Sequence, residues 1–273
     1  MNKSEYISGG KVILAAGAFS ASLLPSEIGV IEMFQGVGSA ILLKGPSTPS
    51  RISRDYVYRS PNRGGAQCGS HLVPTSDGNW YLGAGNYLAE LDEYGHRLET
   101  IKYLMGNLSN EIFNLNETYQ AKAEFVIGSR PRTLDGIPAI GPLDSCDDIF
   151  VAAGMNRIGL SISPWVAEQV CLWTDSKPIS HILHTWKPDR TPISFNYFGD
   201  NVTEFCETRI ANAQEHNLIG KDKKEIQAKR RELSDWALQA NMQIVNSHNL
   251  PSEYCVHPDM LSLMLRRLET PLK

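Results

Sequence analysis

The chain has 273 residues, of which 42% are hydrophobic and 21% charged. It is therefore long enough to bury one large core or two modest ones, and its composition excludes a disordered chain. Its formal net charge of −4 excludes a nucleic-acid binder held by a general positive field. The cysteines form no C-x-x-C pair, which argues against a disulfide framework and a zinc site; they are Cys68, Cys146, Cys171, Cys206 and Cys255.

No run of 18 apolar residues occurs, so the sequence predicts no membrane span. The first ten residues, MNKSEYISGG, have no apolar stretch after the lysine, and no signal peptide is predicted. The expected location is therefore the cytoplasm.

The first predicted element is a buried strand in the apolar run KVILAAGA at 11–18, which breaks into a tight turn at Gly17. A buried strand in a parallel sheet needs neighbours on both sides. Because only ten residues precede this run, we expect its neighbours to come from later in the chain or from another chain.

Residues 28–125 have the pattern of an antiparallel sheet, interrupted by one predicted helix between Glu90 and Phe113. The sequence Ser-Asp-Gly-Asn at 76–79 separates two strand-like runs and predicts a β-hairpin. Gly36-Val37-Gly38-Ser39 is similar to the start of a dinucleotide fingerprint. It lacks the third glycine, and Pro46 would end any helix, so a strand is predicted there.

A second buried strand is predicted at 149–154, followed by a glycine-containing loop and a helix that starts at Ser163-Pro164 and reaches Trp173. A strand, a glycine-rich turn and a helix in this order are typical of turns that hold cofactors.

From about residue 200 the pattern predicts a helical extension. Asp222 and Glu225 form a variant of the capping box, and Ile226, Leu233, Ala237, Ala240 and Ile244 recur at helical spacing. The Lys and Arg residues at 221–231 alternate with acidic residues, which favours a solvated helix face over a nucleic-acid patch. His181 and His184 lack nearby Cys or acidic ligands, and Cys68 lacks a local base, so neither is predicted to be a chemical centre.

The segment 128–160 places Arg130 and Arg157 beside glycine-rich turns. Arginine suits the bidentate binding of a carboxylate or phosphate, and the N-terminus of the following helix suits a group that becomes anionic. Turn glycines with surface arginines are the alternative interpretation of the same residues.

The pattern G-x-R-P-x-x-x-D-G-x-P-x-I-G-P at 128–142, followed by A-A-G-x-x-x-x-G-L-x-x-x-P at 152–164, resembles the C-terminal part of the glycine oxidase and D-amino-acid oxidase family of FAD-dependent oxidoreductases. The strand at 12–18 and the hairpin segments Cys68–Pro74 and Tyr81–Ala84 also resemble this family. The resemblance implies a mixed α/β (α+β) fold. It consists of a partial, Rossmann-like FAD-binding domain at 1–27 and 126–185, an antiparallel substrate domain at 28–125, and a connecting segment with a helical extension at 186–273.

The resemblance also implies FAD as cofactor and oxidation of a small amino acid or amine by hydride transfer to the flavin. Arg130 and Arg157 match arginines that bind the substrate carboxylate, and His71 falls where related enzymes often place a tyrosine that faces the substrate. The implied cofactor-binding residues are Gly17, Gly154, Met155, Asn156, Arg157, Gly159 and Leu160. Met155 replaces a common histidine.

The family opens with a βαβ unit that carries G-x-G-x-x-G and holds the pyrophosphate of FAD. This sequence contains no such unit. Three explanations are open: a separate FAD-binding subunit supplies it, the reading frame is truncated, or the chain has become a non-catalytic interaction protein that binds a partner through its helical tail.

Overall fold

The computed structural model describes residues 9–44, 52–59, 70–107, 122–194, 198–215, 219–220, 222–247, 249–252 and 254–269. The chain divides into two compact units. The first unit comprises Met1–Gly36 and Ser129–Ile193, and the second comprises Val37–Gly128 and Ser194–Lys273.

Strands and helices follow one another in a mixed order along the described chain. The strands are β1 (Val12–Leu14), β2 (Met33–Lys44), β3 (Tyr58–Arg59), β4 (His71–Pro74), β5 (Trp80–Ala89), β6 (Lys122–Thr133), β7 (Ala139–Pro142) and β8 (Ile149–Ala153). The helices are α1 (Leu98–Asn107), α2 (Gly159–Thr174), α3 (Phe198–Glu215), α4 (Lys223–Ser247) and α5 (Leu261–Glu269).

The first unit contains a three-stranded sheet in the order β1-β8-β7. Strand β1 runs parallel to β8, with Leu14 opposite Val151, and β7 runs antiparallel to β8. Side chains alternate between the faces of a strand, so neighbouring residues of β7 and β8 enter two different apolar clusters. One cluster contains Ile31, Met33, Ala139, Leu143, Val151 and Ala153, and the other contains Ile140, Phe150, Val166, Trp173 and Leu183.

Strand β1 forms where the sequence predicts it, but the prediction that it is buried is wrong. Val12 and Ile13 are 51% and 48% exposed. The reason is position: β1 lies at the edge of the described sheet, with β8 beside it on one side.

Helix α2 also differs from its prediction, because it begins at Gly159 and carries Pro164 inside it. Proline has no N–H group, so it cannot donate to the carbonyl four residues earlier. That carbonyl, of Leu160, instead accepts a hydrogen bond of 3.0 Å from the Ser163 hydroxyl. The Ser-Pro pair that is typical of a helix start is thus accommodated in the second turn.

The sheet of the second unit has the strand order β3-β4-β5-β2-β6, to which β2 contributes from Val37 onward and β6 up to Gly128. The predicted hairpin is confirmed: β4 and β5 pair antiparallel, with Pro74 opposite Trp80. Asp77 closes its turn by accepting a hydrogen bond from the Thr75 hydroxyl. This bond and the backbone N–H of Asn79 lower the pKa of the Asp77 carboxyl.

The predicted helix between Glu90 and Phe113 is observed as α1, which begins at Leu98; residues 108–121 lie outside the described chain. Cys68 also lies outside it. Gly36–Ile41 belongs to β2, as predicted for a strand. The core of the second unit is formed by Ile41, Leu43, Leu72, Trp80, Leu82 and Leu104.

The predicted helical extension is confirmed as α3, α4 and α5. The Asp222 carboxylate caps α4 by accepting hydrogen bonds from the N–H groups of Lys224 and Glu225, at 2.8 and 3.0 Å. Two arginines of α5 bind the segment that follows β5: Arg266 pairs with Glu93, and Arg267 with Glu90. Among the helices that the structure describes, none is long and apolar enough to cross a membrane.

Candidate functional site

Two glycine turns lie at one edge of the first unit's sheet. Strands β1 and β8 are parallel, so their carboxyl ends open at the same edge. Gly17, with φ of +61°, follows β1, and Gly154, with φ of +71°, follows β8. In open α/β sheets this edge, beyond the carboxyl ends of the strands, is where ligands bind.

Gly154 is required both by its backbone conformation and by its packing. A Cβ atom at this position would lie 2.6 Å from the Cγ2 atom of Thr133 and 2.9 Å from the backbone nitrogen of Ala139. Around Gly17 no described atom lies within 4 Å of such a Cβ, so only the positive φ favours glycine there.

The loop after Gly154 leads directly into α2. Asn156 turns the chain with φ of +47°, and the N–H of Ile158 donates to the carbonyl of Met155 at 3.0 Å. The first N–H groups of a helix have no acceptor inside the helix and carry the positive end of its dipole. Within the described chain Ile158 provides no side-chain cap, and the first turn from Gly159 contains no acidic residue. This helix start is therefore suited to a negatively charged group.

Two apolar side chains at the helix start face solvent. Leu160 is 92% exposed and Ile158 is 44% exposed. Met155 differs, because its side chain packs against the cluster around Phe150 while its backbone forms part of the loop.

The structure brings the segments of the two predicted arginines together. The N–H of Asn156 donates to the carbonyl of Pro131 at 2.8 Å, and Arg132 forms an antiparallel bridge with Met155. Arg130 precedes Pro131 and Arg157 follows Asn156, so each arginine lies one residue beyond this hydrogen bond. Arg130 is half-buried at the end of β6, and Arg157 is exposed. Two guanidinium groups on adjacent segments can bind an oxyanion with two parallel hydrogen bonds each.

His71 belongs to β4 of the second unit. It lies opposite Gly83 and stacks on the ring of Tyr81, with centroids 6.2 Å apart and an interplanar angle of 27°. A Cβ at position 83 would lie 2.8 Å from the Nε2 atom of His71, so glycine leaves room for the imidazole ring.

Arg190 supports the site and was missed by the sequence analysis. Its Nε and Nη2 atoms donate to the two carboxylate oxygens of Asp135 at 3.0 and 2.8 Å. The two side chains are 7% and 0% exposed. The guanidinium also donates to the carbonyls of Ile137 and Pro138, and so fixes the turn between β6 and β7. The only local signal was the Asp-Gly pair at 135–136, which predicts a turn but not its distant partner.

No group of three His, Cys, Asp or Glu side chains that could hold a metal ion occurs in the described ranges. His181 and His184 are both exposed, on a short 3₁₀ turn.

The chain is similar in sequence to a protein family and to a curated protein. A family model described as FAD dependent oxidoreductase matches residues 3–173. Glycine oxidase of Pseudomonas aeruginosa is 28% identical over 160 residues, which are 58% of this chain and 40% of that protein.

Two crystal structures show that the fold is shared. Glycine oxidase from Geobacillus kaustophilus has a TM-score of 0.52 at 21% identity, covering 66% of this chain and 45% of its own. Glycine oxidase from Bacillus cereus has a TM-score of 0.50 at 18% identity, covering 64% of this chain and 45% of its own. The mixed α/β fold predicted from the sequence is confirmed, and the chain spans less than half the length of these relatives.

Proposed function

The chain belongs to the family of FAD-dependent oxidoreductases, and from this premise we propose that it supplies the substrate-binding and flavin-binding part of an enzyme that oxidises the amine of a small amino acid. The contact between Arg130-Pro131-Arg132 and Met155-Asn156-Arg157 carries the proposal. It places two candidate carboxylate-binding arginines next to the loop that enters α2.

The residues at this edge fit one end of FAD. The N–H groups at the start of α2 are hydrogen-bond donors at the positive end of a 16-residue helix, and the pyrimidine edge of a flavin is an acceptor that gains negative charge on reduction. The glycine turns at Gly17 and Gly154 lie at the same edge of the sheet. Asn156, Gly159 and Leu160 would line the flavin through their backbone groups.

The fit does not extend to the pyrophosphate. The sequence has no G-x-G-x-x-G unit, and the glycines at 36 and 38 lie within β2. We propose that a separate FAD-binding subunit holds the pyrophosphate. The exposed side chains of Val12, Ile13 and Phe19 support this, because a parallel strand is normally covered on its faces by packed elements.

We propose specific roles in the reaction for three side chains of this chain. Bound FAD would accept the hydride from the α-carbon of the substrate. Arg130 and Arg157 would bind the substrate carboxylate and fix the position of that carbon, which lowers the entropy cost of reaching the reactive geometry. His71 is proposed as a further substrate-binding residue, as the family resemblance implies. A small amino acid is the proposed substrate class, as the family resemblance implies, and Arg130 and Arg157 would bind the α-carboxylate that all amino acids share.

Visible absorbance and steady-state kinetics test the proposal. We expect flavin bands when the chain is produced together with the chain encoded immediately upstream, and none when it is produced alone. In that complex, Arg130→Leu should raise the KM for the amine roughly 10- to 100-fold, as loss of a charged hydrogen bond implies. Arg231→Leu, on the exposed face of α4, is the matched control and should leave KM unchanged.

Two outcomes would refute the proposal. Absence of flavin bands from both preparations would show that the chain does not take part in FAD binding. Normal turnover in the Arg130→Leu complex would show that Arg130 does not bind the substrate.

A groove in the helical extension favours a second candidate function, that of an interaction protein. It has a volume of about 360 Å3 and is lined by Phe205, Arg209, Glu232, Leu233, Trp236 and Ser262. The rings of Phe205 and Trp236 stack at 5.8 Å. Under this alternative, Trp236→Ala would abolish binding of a partner that copurifies with the chain, and Arg130→Leu would have no effect on it.

A further inference from the structure

We propose that the buried ion pair of Arg190 and Asp135 positions the glycine turn at Gly154 through the side chain of Thr133. Arg190 and Thr133 are therefore positioning residues for the loop that enters α2. This inference rests on the proposed function, in which that loop binds the flavin.

The Arg190 guanidinium fixes the turn between β6 and β7 at several points. It binds the two carboxylate oxygens of Asp135 as a fork, and it donates to the carbonyls of Ile137 and Pro138 at 2.8 and 3.0 Å. The side chains of the ion pair are 7% and 0% exposed, so water does not weaken the attraction between them. A guanidinium carries its N–H donors in a rigid, planar arrangement, and it therefore holds these groups at fixed positions relative to one another.

Thr133 joins this turn to the glycine turn. Its hydroxyl donates a hydrogen bond of 2.6 Å to the carbonyl of Ile137, which also accepts from Arg190. Its methyl group lies against Gly154, since a Cβ atom at position 154 would be 2.6 Å from the Cγ2 atom of Thr133. Thr133 is 0% exposed, so the surrounding residues hold its side chain in this position.

The other end of the same turn also packs against Gly154. Ala139 begins β7 directly after Pro138, whose carbonyl binds Arg190. A Cβ atom at position 154 would lie 2.9 Å from the backbone nitrogen of Ala139. Because close-packed interiors transmit strain, a shift of the turn that Arg190 holds would move Gly154 with it.

The position of Gly154 is passed on to the loop that follows. The N–H of Asn156 donates to the carbonyl of Pro131 at 2.8 Å, and the N–H of Ile158 donates to the carbonyl of Met155 at 3.0 Å. These bonds fix the direction in which the chain enters α2. Donors that bind a cofactor act well only when they are held within about 0.5 Å of the required position.

Amide hydrogen exchange of the full chain, measured residue by residue by NMR, tests the inference without flavin. The amides of Asn156 and Ile158 report on the loop. The amide of Leu143, which donates to the carbonyl of Ile149 at 3.0 Å, is the reference in the same unit. Arg190→Lys keeps the charge but loses the fork, so we expect the loop amides to exchange at least about tenfold faster and Leu143 to change by less than about twofold.

Two further variants separate positioning from a general loss of stability. Thr133→Ser keeps the hydroxyl and leaves the ion pair intact, but it removes the methyl group that lies against Gly154. It should therefore also accelerate exchange in the loop, by a smaller factor than Arg190→Lys. Lys187→Met, which breaks the exposed pair with Asp144, is the matched control and should leave all three amides unchanged. A melting temperature for each variant shows whether it is folded.

The reduction potential of the flavin-containing complex provides a second readout. The donors at the start of α2 would stabilise the negative charge that the flavin gains on reduction. Displacing them in Arg190→Lys should therefore make the reduction potential more negative. A loss of stability alone would leave the potential of the folded complex unchanged.

The outcomes distinguish this inference from the proposed function. If Arg190→Lys accelerates exchange equally at Leu143 and in the loop, or if Thr133→Ser leaves the loop amides unchanged, the inference is refuted and the proposed function stands. An unchanged reduction potential in the folded Arg190→Lys complex would also refute the inference alone. If loop exchange rises selectively but the wild-type complex contains no flavin, the proposed function is refuted and the positioning of Gly154 by Arg190 stands.

Discussion

Replacing Arg190 by methionine should destabilise the first unit strongly, because it leaves a buried carboxylate without its cation. The Asp135 side chain is 0% exposed, and among the described residues it would keep the N–H groups of Ile137 and Ile193 as donors. Removing one partner of a buried ion pair costs about 3–5 kcal/mol. In a unit of about 100 residues, at about 4–8 °C per kcal/mol, that corresponds to a fall in melting temperature of about 12–40 °C.

Arg190→Met also removes hydrogen bonds other than those of the ion pair. The Arg190 guanidinium also donates to the carbonyl groups of Trp186 and Lys187, at 3.2 and 2.8 Å, in addition to those of the turn before β7. The same group therefore holds together two segments that are about 50 residues apart in the sequence.

The assay is thermal and urea unfolding of the wild-type and variant chains. Unfolding can be followed by tryptophan fluorescence, since Trp165, Trp173 and Trp186 all belong to the first unit. Lys187→Met is the matched control. It breaks the pair with Asp144, whose side chain is 69% exposed, and should cost no more than about 1 kcal/mol. Equal losses in Arg190→Met and Lys187→Met would refute the argument from burial.

Two further predictions concern packing. Gly154→Ala should lower the free energy of unfolding by roughly 2 kcal/mol or more, because a steric clash adds to the left-handed backbone strain of about 1–2 kcal/mol. Gly17→Ala should cost less, because the position has the strain but open space around it. Equal melting temperatures for the two variants would contradict this. In the folded chain, Cys206 should react with iodoacetamide at pH 8 much more slowly than exposed Cys171. Burial, with help from Glu207, raises the pKa of the Cys206 thiol, although Arg230 opposes it. Mass spectrometry that finds equal labelling would refute this.

Local patterns were sufficient for several elements of the fold. The hairpin at 71–89 is encoded by a short polar turn between strand-like runs, and the helical extension by apolar residues at helical spacing. The strand, glycine turn and helix at 149–174 were recognisable for the same reason: hydrogen bonds and side-chain contacts in these elements join residues close in sequence. The family pattern at 128–164 predicts Arg130 and Arg157 as carboxylate-binding residues, and their role stays a prediction.

Local patterns failed in two places, for different physical reasons. The sequence predicted a helix start at Pro164, but the chain already becomes helical at Gly159, and the Ser163 hydroxyl satisfies the carbonyl that proline leaves without a donor. The apolar run around Val12 does not predict the exposure of this residue, because the burial of a strand depends on the strands and helices that pack against it.

The sequence by itself determined the family, the order of the main elements and the residues that carry the candidate chemistry. The tertiary structure decided that Pro131 and Asn156 are joined by a hydrogen bond, which brings the arginine segments together. It also decided that Asp135 is neutralised by Arg190, 55 residues away. These contacts join residues far apart in the chain, and no local periodicity encodes them, because they form only when the packed sheet brings the segments within hydrogen-bonding distance.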